Sequence, residues 1–346
     1  MIAPSTVLEE SAVPNMPNMR LSAKSFAALV TTVLSAIAFP SHAQDSAASW
    51  PSKPVRIIVP FPAGGTADVL PRFVSERLTA KWGQPFLVEN RAGAAGNIGA
   101  EAVFKAEPDG YTLLSAPPPP LVINPSLYAK LAFDPTQFVT ISVLAEVPNV
   151  FLLHPKIPAN SVREAIAYAK ANPGKLNYAS QGSGSTSHLT AELFKSMGGG
   201  LTITHVPYKG TAPALTDLLG GQVEIMFDNL GVSLQHVRSG KLKALAVASQ
   251  KRVAALPDVP TMAEILPGFV SVAWYGVVAP PKTSPAIAEK LSAAIAESLK
   301  TPEMRKRLVE LSAEAVGNTP AEMSAYMRQD AERWRNVIRT ANVKAD

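Results

Sequence analysis

The sequence predicts an α/β protein of two domains, each a mostly parallel sheet flanked by helices. Three observations support this class. Short β-rich runs alternate with helical patterns through two successive series, and strands end in glycine or polar turns before helices. Two long extended segments follow the two series, one after each. The chain of 346 residues is 47% hydrophobic, which is long and apolar enough for about two domains.

The first series contains three predicted strands and two predicted helical segments. Its strands are VRIIVPF, PFLVENR and YTLLSA, and its helical segments are VLPRFVSERLTAKW and the glycine-rich AGAAGNIGAEAVFKAEPDG. The second series repeats this rhythm. Its strands are LNYAS, THVPYKG, VEIMFDN and LKALAVAS, and its helices are SHLTAELFKSMGG, APALTDLLGGQ and VSLQHVRSG. In open α/β sheets, ligands bind at the rim where strands run into such turns.

The two long extended segments predict the domain boundaries. They are VTISVLAEVPNVFLLHP and FVSVAWYGVVAPPKT, and only helical patterns follow the second one. Those last helices have no strands of their own to cover, so we expect them to pack on the first domain. Domain 1 is therefore predicted over 45–148 plus 270–346, and domain 2 over 149–269. Two crossing strands form a hinge that suits closure around a ligand.

The N-terminal region has the pattern of a secretory signal peptide over residues 1–43. Arg20 and Lys24 precede the apolar run FAALVTTVLSAIAF, and Ser-His-Ala43 supplies a small-x-small cleavage site. The apolar run is shorter than the roughly 20 residues that span a bilayer, so cleavage after Ala43 is predicted. Residues 1–18 do not resemble a signal n-region, and Met16 and Met19 are alternative starts. The mature protein is expected in the periplasm.

Composition argues against several functions. There is no cysteine, which removes disulfides, thiolate nucleophiles, thiolate metal sites and a lipoprotein anchor. The net charge of +5 is spread along the chain, so nucleic acid is not an expected partner. The histidines lack metal-ligand spacing, and no dinucleotide or phosphate-loop motif is complete. We therefore expect no metal and no cofactor.

The stretch FPAGGTAD, from Phe61 to Asp68, has the properties of an anion cradle. Its two glycines permit positive φ and leave backbone N–H groups uncovered between a strand and a helix. The helix adds the positive end of its dipole, which favours a carboxylate or phosphate. Thr66 and Asp68 are placed to cap that helix. The alternative is a capping turn that holds no ligand.

A second loop repeats this arrangement in the other predicted domain. LNYAS leads through Gln181-Gly-Ser-Gly-Ser-Thr-Ser-His188 into a helix. Two such loops facing across a cleft could clamp one anionic ligand, whereas a flexible surface turn is the alternative. Ser183 and Ser185 lack the G-x-S-x-G register of a nucleophile elbow. An exported serine hydrolase that uses one of these serines with His188 remains an alternative function, and His188 could also simply face water.

Other candidates lie at strand ends on the same predicted rim. Tyr208 and Lys209 end the strand in VPYKG, and Asp228 ends the strand in MFDN. Asp228 could accept ligand N–H or hydroxyl groups, or it could cap the next helix. Tyr208 could pack with its hydroxyl in solvent. Lys209 is expected in solvent. Trp274 and Tyr275 could line the cleft or belong to the core.

Together, several long blocks resemble the Bug-type periplasmic solute-binding proteins of tripartite tricarboxylate transporters. The blocks span the mature chain in order: WPSKPVRIIVPFPAGGTADVLPR, VENRAGAAGNIGAEAVFKAEPDGYTLL, INPSLY, GSGSTSHLTAELF, VPYKGTAPALTDLLGGQVEIMFDN and PTMAEILPGF. The resemblance implies a Venus-flytrap receptor, not an enzyme, that closes on a small organic carboxylate. It also implies a large and a small membrane subunit as partners. Some members of the family act instead as sensors or as binding accessories for degradation pathways. In a sensor role, this protein would be a ligand-responsive partner of a sensor kinase.

The resemblance also implies which residues hold the ligand. The two turns, the VPYKG loop and Asp228 correspond to the family's carboxylate site, and the loop after YTLL forms a wall. The candidate ligand-binding residues are Phe61, Ala63, Gly64, Gly65, Thr66, Asp68, Ser115, Ala116, Ser180, Gly182, Ser183, Ser185, Thr186, His188, Tyr208 and Asp228. A monomer is expected, because the receptor must open and close.

One segment departs from the family pattern. Relatives usually carry a Ser/Thr/Gly-bearing loop after YTLL, whereas this chain has Ser115-Ala-Pro-Pro-Pro-Pro120. Prolines offer no N–H, so this wall should be stiff, apolar and poor in donors. The hypothesis is a ligand whose distal end is less polar than citrate, such as an aromatic carboxylate stacked near Phe61. The alternative is a rigid surface connection.

Overall fold

A computed structural model describes residues 48–343, which belong to one compact unit. The predicted signal peptide, its cleavage site and the alternative starts lie outside the described residues. Across 48–343, none of the helices combines the length and the apolar character needed to cross a bilayer.

The structure alternates strands and helices as predicted, with bounds that shift by a few residues, and it adds two helices that were not predicted, over Asn124–Leu127 and Val162–Ala171. The strands are β1 (Val55–Val59), β2 (Phe86–Asn90), β3 (Thr112–Ala116), β4 (Val139–Leu153), β5 (Leu176–Ser180), β6 (Ile203–Pro207), β7 (Ile225–Asn229), β8 (Lys243–Val247), β9 (Val272–Ala279) and β10 (Glu314–Ala315). The α-helices are α1 (Thr66–Trp82), α2 (Asn97–Phe104), α3 (Asn124–Leu127), α4 (Val162–Ala171), α5 (Thr186–Met197), α6 (Thr211–Leu219), α7 (Leu230–Arg238), α8 (Pro285–Leu299), α9 (Pro302–Glu310) and α10 (Pro320–Thr340). Short 3₁₀ and π turns lie between them over Ala94–Gly96, Pro119–Ile123, Pro135–Gln137 and Met262–Glu264.

The strands form a continuous sheet whose two outer parts are parallel and whose centre is antiparallel. The order is β2-β1-β3-β9-β4-β7-β5-β6. β1 pairs in parallel with β2 and β3, and β5 pairs in parallel with β6 and β7. The central strands β4 and β9 run antiparallel to their neighbours. The fold is therefore α/β with two parallel parts joined through a pair of extended strands.

The long strand β4 passes from one parallel part to the other. Its residues 139–148 pair with β9, and its residues 149–153 pair with β7 and β8. Fifteen residues is well above the usual strand length, as the extended apolar sequence predicted. The two long segments thus lie side by side at the middle of the sheet.

The C-terminal helices cover the part of the sheet that contains β1 to β3. Successive strand residues point to opposite faces, and Ile57 and Ile58 accordingly belong to different cores. Ile57 packs in a cluster with residues of α1 and α8, including Leu291, whereas Ile58 packs with residues of α2 and α10, including Trp334. Both faces of this part of the sheet are therefore buried by helices.

The expectation that only helices follow β9 was wrong in one place. The two-residue strand β10 lies between α9 and α10 and pairs antiparallel with β4 through Glu314 and Glu146. Two residues carry too little alternation to be read as a strand, because a pattern of period two needs at least four.

Candidate functional site

The first candidate loop, Phe61 to Gly65, joins β1 to α1. Gly64 has φ of +92°, a left-handed value that glycine adopts without strain. Gly65 is the N-cap of α1, and no side chain caps the helix there. The first N–H groups of α1 are therefore not bonded by a capping side chain, and the carboxylate nearest to this helix end is that of Asp68 in the first turn.

The Asp68 carboxylate supports this loop from the first turn of α1. Its Oδ2 accepts the N–H of Gly64 at 3.1 Å, and its Oδ1 accepts from Arg72 Nη2 at 2.7 Å and from Asn90 Nδ2 at 2.9 Å. Burial raises the pKa of Asp68, but the hydrogen bonds from Arg72, Asn90 and Gly64 together hold it below its usual range. The predicted capping was wrong: Thr66 is the first helical residue, and Asp68 instead binds the loop before the cap.

The second candidate loop, Gln181 to Ser185, joins β5 to α5. Ser185 is the N-cap, and its Oγ accepts the N–H of His188 at 3.2 Å. The Nδ1 of His188 accepts the N–H of Gly184 at 3.0 Å. Part of this loop's hydrogen-bonding capacity is thus used within the loop.

Three aromatic rings stack behind the second loop. The rings of His188 and His205 lie 4.1 Å apart between centroids and nearly parallel, and Tyr178 stacks on His205 at 4.7 Å. Ser180 Oγ lies 2.7 Å from His205 Nε2 and accepts the N–H of Gly182 at 3.1 Å. The stack fixes the loop against β5 and β6.

A third helix, α6, also begins at the site, after the VPYKG loop that the sequence analysis placed there, but its glycine cap was not predicted. Its N-cap is Gly210, with φ of +104° and no side-chain cap. The Cβ of an alanine at Gly65 would lie 3.4 Å from Thr211 Oγ1, so the start of α6 lies against the start of α1. The signal was present in the sequence, since VPYKGTA repeats the strand-glycine-helix pattern of the other two loops.

The N-termini of α1, α5 and α6 surround a narrow cavity of about 50 Å³. A wider cavity of about 490 Å³ lies next to it and shares several lining residues. The residues common to both are Phe61, Pro62, Gln181, Ser185, Lys209 and Gly210. Three helix N-termini at one cavity contribute partial positive charge there. Lys209 is the sole charged side chain among the described residues lining the narrow cavity.

The proline segment forms an apolar wall of the narrow cavity. Pro117 to Pro120 are all buried, and Pro117 and Pro119 line the cavity near Phe61. Burial contradicts the alternative of a surface connection. The absence of N–H groups on prolines leaves this wall without backbone donors at those positions.

The polar floor of the cavity consists of Gln181, Asn229 and Tyr275. Gln181 Nε2 donates to Asp228 Oδ1 at 2.9 Å and to Asn229 Oδ1 at 3.2 Å, and the Tyr275 hydroxyl donates to Asn229 Oδ1 at 2.8 Å.

Burial raises the pKa of Asp228 to about 7, and hydrogen bonds from Gln181 and the Asn229 backbone only partly offset this effect. Asp228 Oδ2 is buried and has no hydrogen-bond partner among the described residues.

The predicted site residues divide into three groups in the structure. Phe61, Ala63, Gly65, Thr66, Ser185 and Thr186 line the narrow cavity. Gly182, Ser183 and Tyr208 line the wider one. Of the predicted residues, those that line neither cavity are Gly64, Asp68, Ser115, Ala116, Ser180, His188 and Asp228. Ligand contact by any of them stays a prediction.

Several other details differ from the expectations. The N-cap of α7 is Asn229 and not Asp228. The Tyr208 hydroxyl donates to Asp217 at 2.6 Å rather than to solvent, and burial together with Asp217 raises its pKa to about 12. Tyr275 lines the narrow cavity, whereas Trp274 is buried and donates to Asp330 at 2.7 Å. Adjacent residues of a strand face opposite sides, which explains their different surroundings.

The amide residues Gln181 and Asn229, and Gly210 to Pro213 at the start of α6, were not among the predicted site residues. Gln181 belongs to the second loop, in which the glycines and hydroxyls carry the anion-binding pattern. Asn229 is one residue beyond the chosen Asp228. Their roles depend on which way an amide points at a strand end, and a pattern of residue types does not contain that information.

Two parallel α/β parts linked through paired extended strands, with helix N-termini converging on a cavity, define a two-domain binding protein of the periplasmic type. The sequence profile described as "Tripartite tricarboxylate transporter family receptor" matches residues 70–343. The chain therefore belongs to this family of solute-binding receptors, as the sequence blocks predicted.

Individual relatives agree. Protein BugT of Bordetella pertussis is 39% identical over 302 residues, covering 86% of this chain and 92% of BugT. The structure of R. palustris Rpa4515 with adipate has a TM-score of 0.82 and 38% identity, covering 85% of this chain and 99% of that one. MatC from Rhodopseudomonas palustris with bound malate has a TM-score of 0.79 and 33% identity, covering 84% of this chain and 100% of that one.

Proposed function

We propose that this protein is a periplasmic receptor that captures a small organic carboxylate by domain closure. The observation that carries the proposal is the convergence of three helix N-termini on one cavity, two of them with glycine N-caps and no side-chain cap. Such ends bind anions through backbone N–H groups and the helix dipole. A carboxylate group can accept from two of these helices at once.

The proposed closure is a rotation of 149–269 against 45–148 plus 270–346. The strands β4 and β9 connect the two parts, and paired strands can bend without losing their pairing. Facing loops approach closely: a Cβ at Gly210 would lie 3.4 Å from Pro62, and one at Gly65 would lie 3.4 Å from Thr211. These short approaches support a closed arrangement in which ligand entry requires the loops to separate.

The proposed ligand has a carboxylate at one end and a less polar distal part than citrate. Pro117, Pro119 and Phe61 contribute apolar surface to the cavity. Rpa4515 binds adipate and MatC binds malate, both small dicarboxylates. An aromatic carboxylate that stacks near Phe61 remains our working hypothesis beside an aliphatic di- or tricarboxylate.

We further propose that the protein is exported, acts as a monomer and delivers its ligand to a large and a small membrane subunit. Family membership supports this assignment. A sensor role would need the same closure, so binding data alone do not separate the two roles. Co-purification with the two membrane subunits is the measurement that distinguishes transport from sensing.

We do not propose catalysis by Ser183 or Ser185. The Ser185 hydroxyl accepts from the His188 backbone as a helix cap, and His188 Nδ1 accepts from the Gly184 backbone. Both contacts are those of a loop held in place, and reversible binding needs no nucleophile. Absence of ester hydrolysis by the purified protein is the expected result, and turnover abolished by Ser183→Ala would contradict it.

A thermal-shift screen tests the proposed function directly. The panel contains mono-, di- and tricarboxylates with aliphatic and aromatic members, and a ligand that binds only the native state must raise the melting temperature. We expect a shift with one class of carboxylate and none with matched neutral amides. No shift with any carboxylate, for folded protein, would reject the receptor assignment, and tight citrate binding without aromatic binding would reject the apolar distal end.

A further inference from the structure

A chain of buried hydrogen bonds runs from α5 through the central strands to Gln181. Its first link is the Thr190 hydroxyl, which donates to the carbonyl of Thr186 at 2.6 Å. A hydroxyl has one hydrogen, and a carbonyl cannot donate, so the direction of this bond is fixed. The Thr190 oxygen can therefore only accept from its other two neighbours, Ser271 Oγ at 2.5 Å and the Asn149 side chain at 3.2 Å.

This constraint fixes the next two amides in turn. Because Thr190 accepts, the Asn149 atom that faces it is Nδ2, and Asn149 Oδ1 is left to face Asn229. Asn229 Nδ2 donates to that oxygen at 3.2 Å. The opposite atom of the Asn229 amide, Oδ1, must then point toward Gln181 and Tyr275.

The orientation of Gln181 follows from its two acceptors. Asn229 Oδ1 and the carboxylate oxygen Asp228 Oδ1 lie 3.2 Å and 2.9 Å from the same atom of Gln181, which must be the donor Nε2. The carbonyl oxygen Oε1 therefore points away from both. Within residues 48–343 no protein group donates to Gln181 Oε1, and Gln181 lines both cavities.

The cavity thus combines donors from helix N-termini with one acceptor whose orientation is set by buried groups. A carbonyl oxygen next to a bound carboxylate is unfavourable unless a donor lies between them, because two acceptors repel. We propose that Gln181 is a specificity-determining residue that selects carboxylates carrying a hydroxyl or amino donor near the carboxylate. The proposal rests on the carboxylate-receptor function and names the ligand class for that same cavity.

Matched ligand pairs test the proposal by isothermal titration calorimetry. Malate and aspartate are compared with succinate, and mandelate with phenylacetate, since each pair differs only in the donor. In at least the pair that fits the cavity, the donor-bearing ligand should bind roughly tenfold more tightly, the effect of one well-placed hydrogen bond in a desolvated site. A comparison of the affinities for malate and aspartate identifies whether the site prefers a hydroxyl or an amino donor.

Gln181→Met keeps the length of the side chain and removes the acceptor, so the affinity ratio within a pair should fall to about one. Gln222→Met makes the same change at an exposed residue away from both cavities and should leave the ratio unchanged. Equal affinities within every pair in the wild-type protein, or a ratio that survives Gln181→Met, would overturn the proposal. If Gln181→Met fails to fold, the wild-type ratios still decide it.

The outcomes also separate this inference from the receptor function. Binding of both members of a pair with equal affinity removes only the role of Gln181, as would be the case if a water bridged Oε1 and the ligand. Failure of every carboxylate to bind rejects the receptor function and this inference together.

Discussion

Each of the two cavity loops is held by one buried aspartate, and the two aspartates are in opposite electrostatic situations. Asp68 accepts from Arg72, Asn90 and the Gly64 backbone, so its carboxylate is compensated and its pKa is lowered. Asp228 holds Gln181, and no Lys or Arg of residues 48–343 forms an ion pair with it. The first loop is thus held by a compensated carboxylate, whereas the second is held by a buried carboxylate without a paired cation, a situation that functional sites often show.

The largest expected effect concerns the pH dependence of stability at Asp228. Burial raises its folded-state pKa from 3.8 to about 7, so the folded state binds the proton more tightly than the unfolded chain. Stability is therefore highest below the unfolded pKa and is lost as pH rises from about 4 to about 7. The full contribution is at most roughly 4 kcal/mol, since one pKa unit corresponds to about 1.4 kcal/mol.

Asp228→Asn removes this titration and tests it. The free energy of unfolding, measured by urea denaturation for variant and wild type, should shift in favour of the variant as pH rises from 4 to 7.5. If the difference in unfolding free energy between the two proteins does not change with pH, the folded-state pKa of Asp228 is not raised. The electrostatic contrast between Asp228 and Asp68 would then fail.

Asp68→Asn should show the opposite sign. The folded pKa of Asp68 is lowered, so its contribution is fully present above the unfolded pKa and is lost as pH falls through the folded value. At pH 7 the variant should be about 1 to 3 kcal/mol less stable, because the Gly64 N–H and Arg72 lose a charged acceptor. Below pH 3 the difference should shrink. A deficit that stays constant on acidification would mean that packing, and not charge, is lost.

Substitutions at two neighbouring glycines distinguish the contribution of the first loop to stability from its contribution to domain closure. Gly64 has φ of +92° and open space where a Cβ would lie, whereas Gly65 has φ of −90° and faces Thr211. Gly64→Ala should lower stability by about 1 kcal/mol through backbone strain alone. Gly65→Val should leave stability nearly unchanged and weaken ligand affinity several-fold, because its added methyl groups would press against Thr211 on closure. Reversal of the two phenotypes would show that the loops do not approach as the structure indicates.

Much of the fold was predictable because it depends on periodicity. The β-rich runs, most of the helical patterns and the length of β4 follow from alternation and apolar runs, whereas the two-residue β10 and the helices α3 and α4 were missed. The first two helix N-termini were predictable as well, since the FPAGGTAD and GSGSTSH loops carry glycines between a strand and a helix.

The site was less predictable because its details depend on which group each polar side chain meets. Asp68 looked like a helix cap but binds Gly64, and the bond that His188 Nδ1 accepts from the Gly184 backbone was not predictable from the sequence. Gln181 becomes informative only when the hydrogen bonds from Thr190 through Asn149 and Asn229 are followed in space. Partners far apart in sequence determine these roles, and a single sequence does not reveal them.

The smallest expected effect concerns Lys209, the charged residue at the edge of both cavities. Its side chain is exposed, so its attraction for an anionic ligand is screened by water and salt. Lys209→Gln should weaken carboxylate affinity about two- to threefold at low salt and leave it unchanged near 0.5 M salt, because exposed charges act mainly through long-range attraction. Lys241→Gln, at an exposed lysine that lines neither cavity, serves as the control. A loss of affinity at Lys209 that persists in high salt would mean that the ammonium group contacts the ligand directly, and the helix N-termini would then share the carboxylate with a side-chain cation.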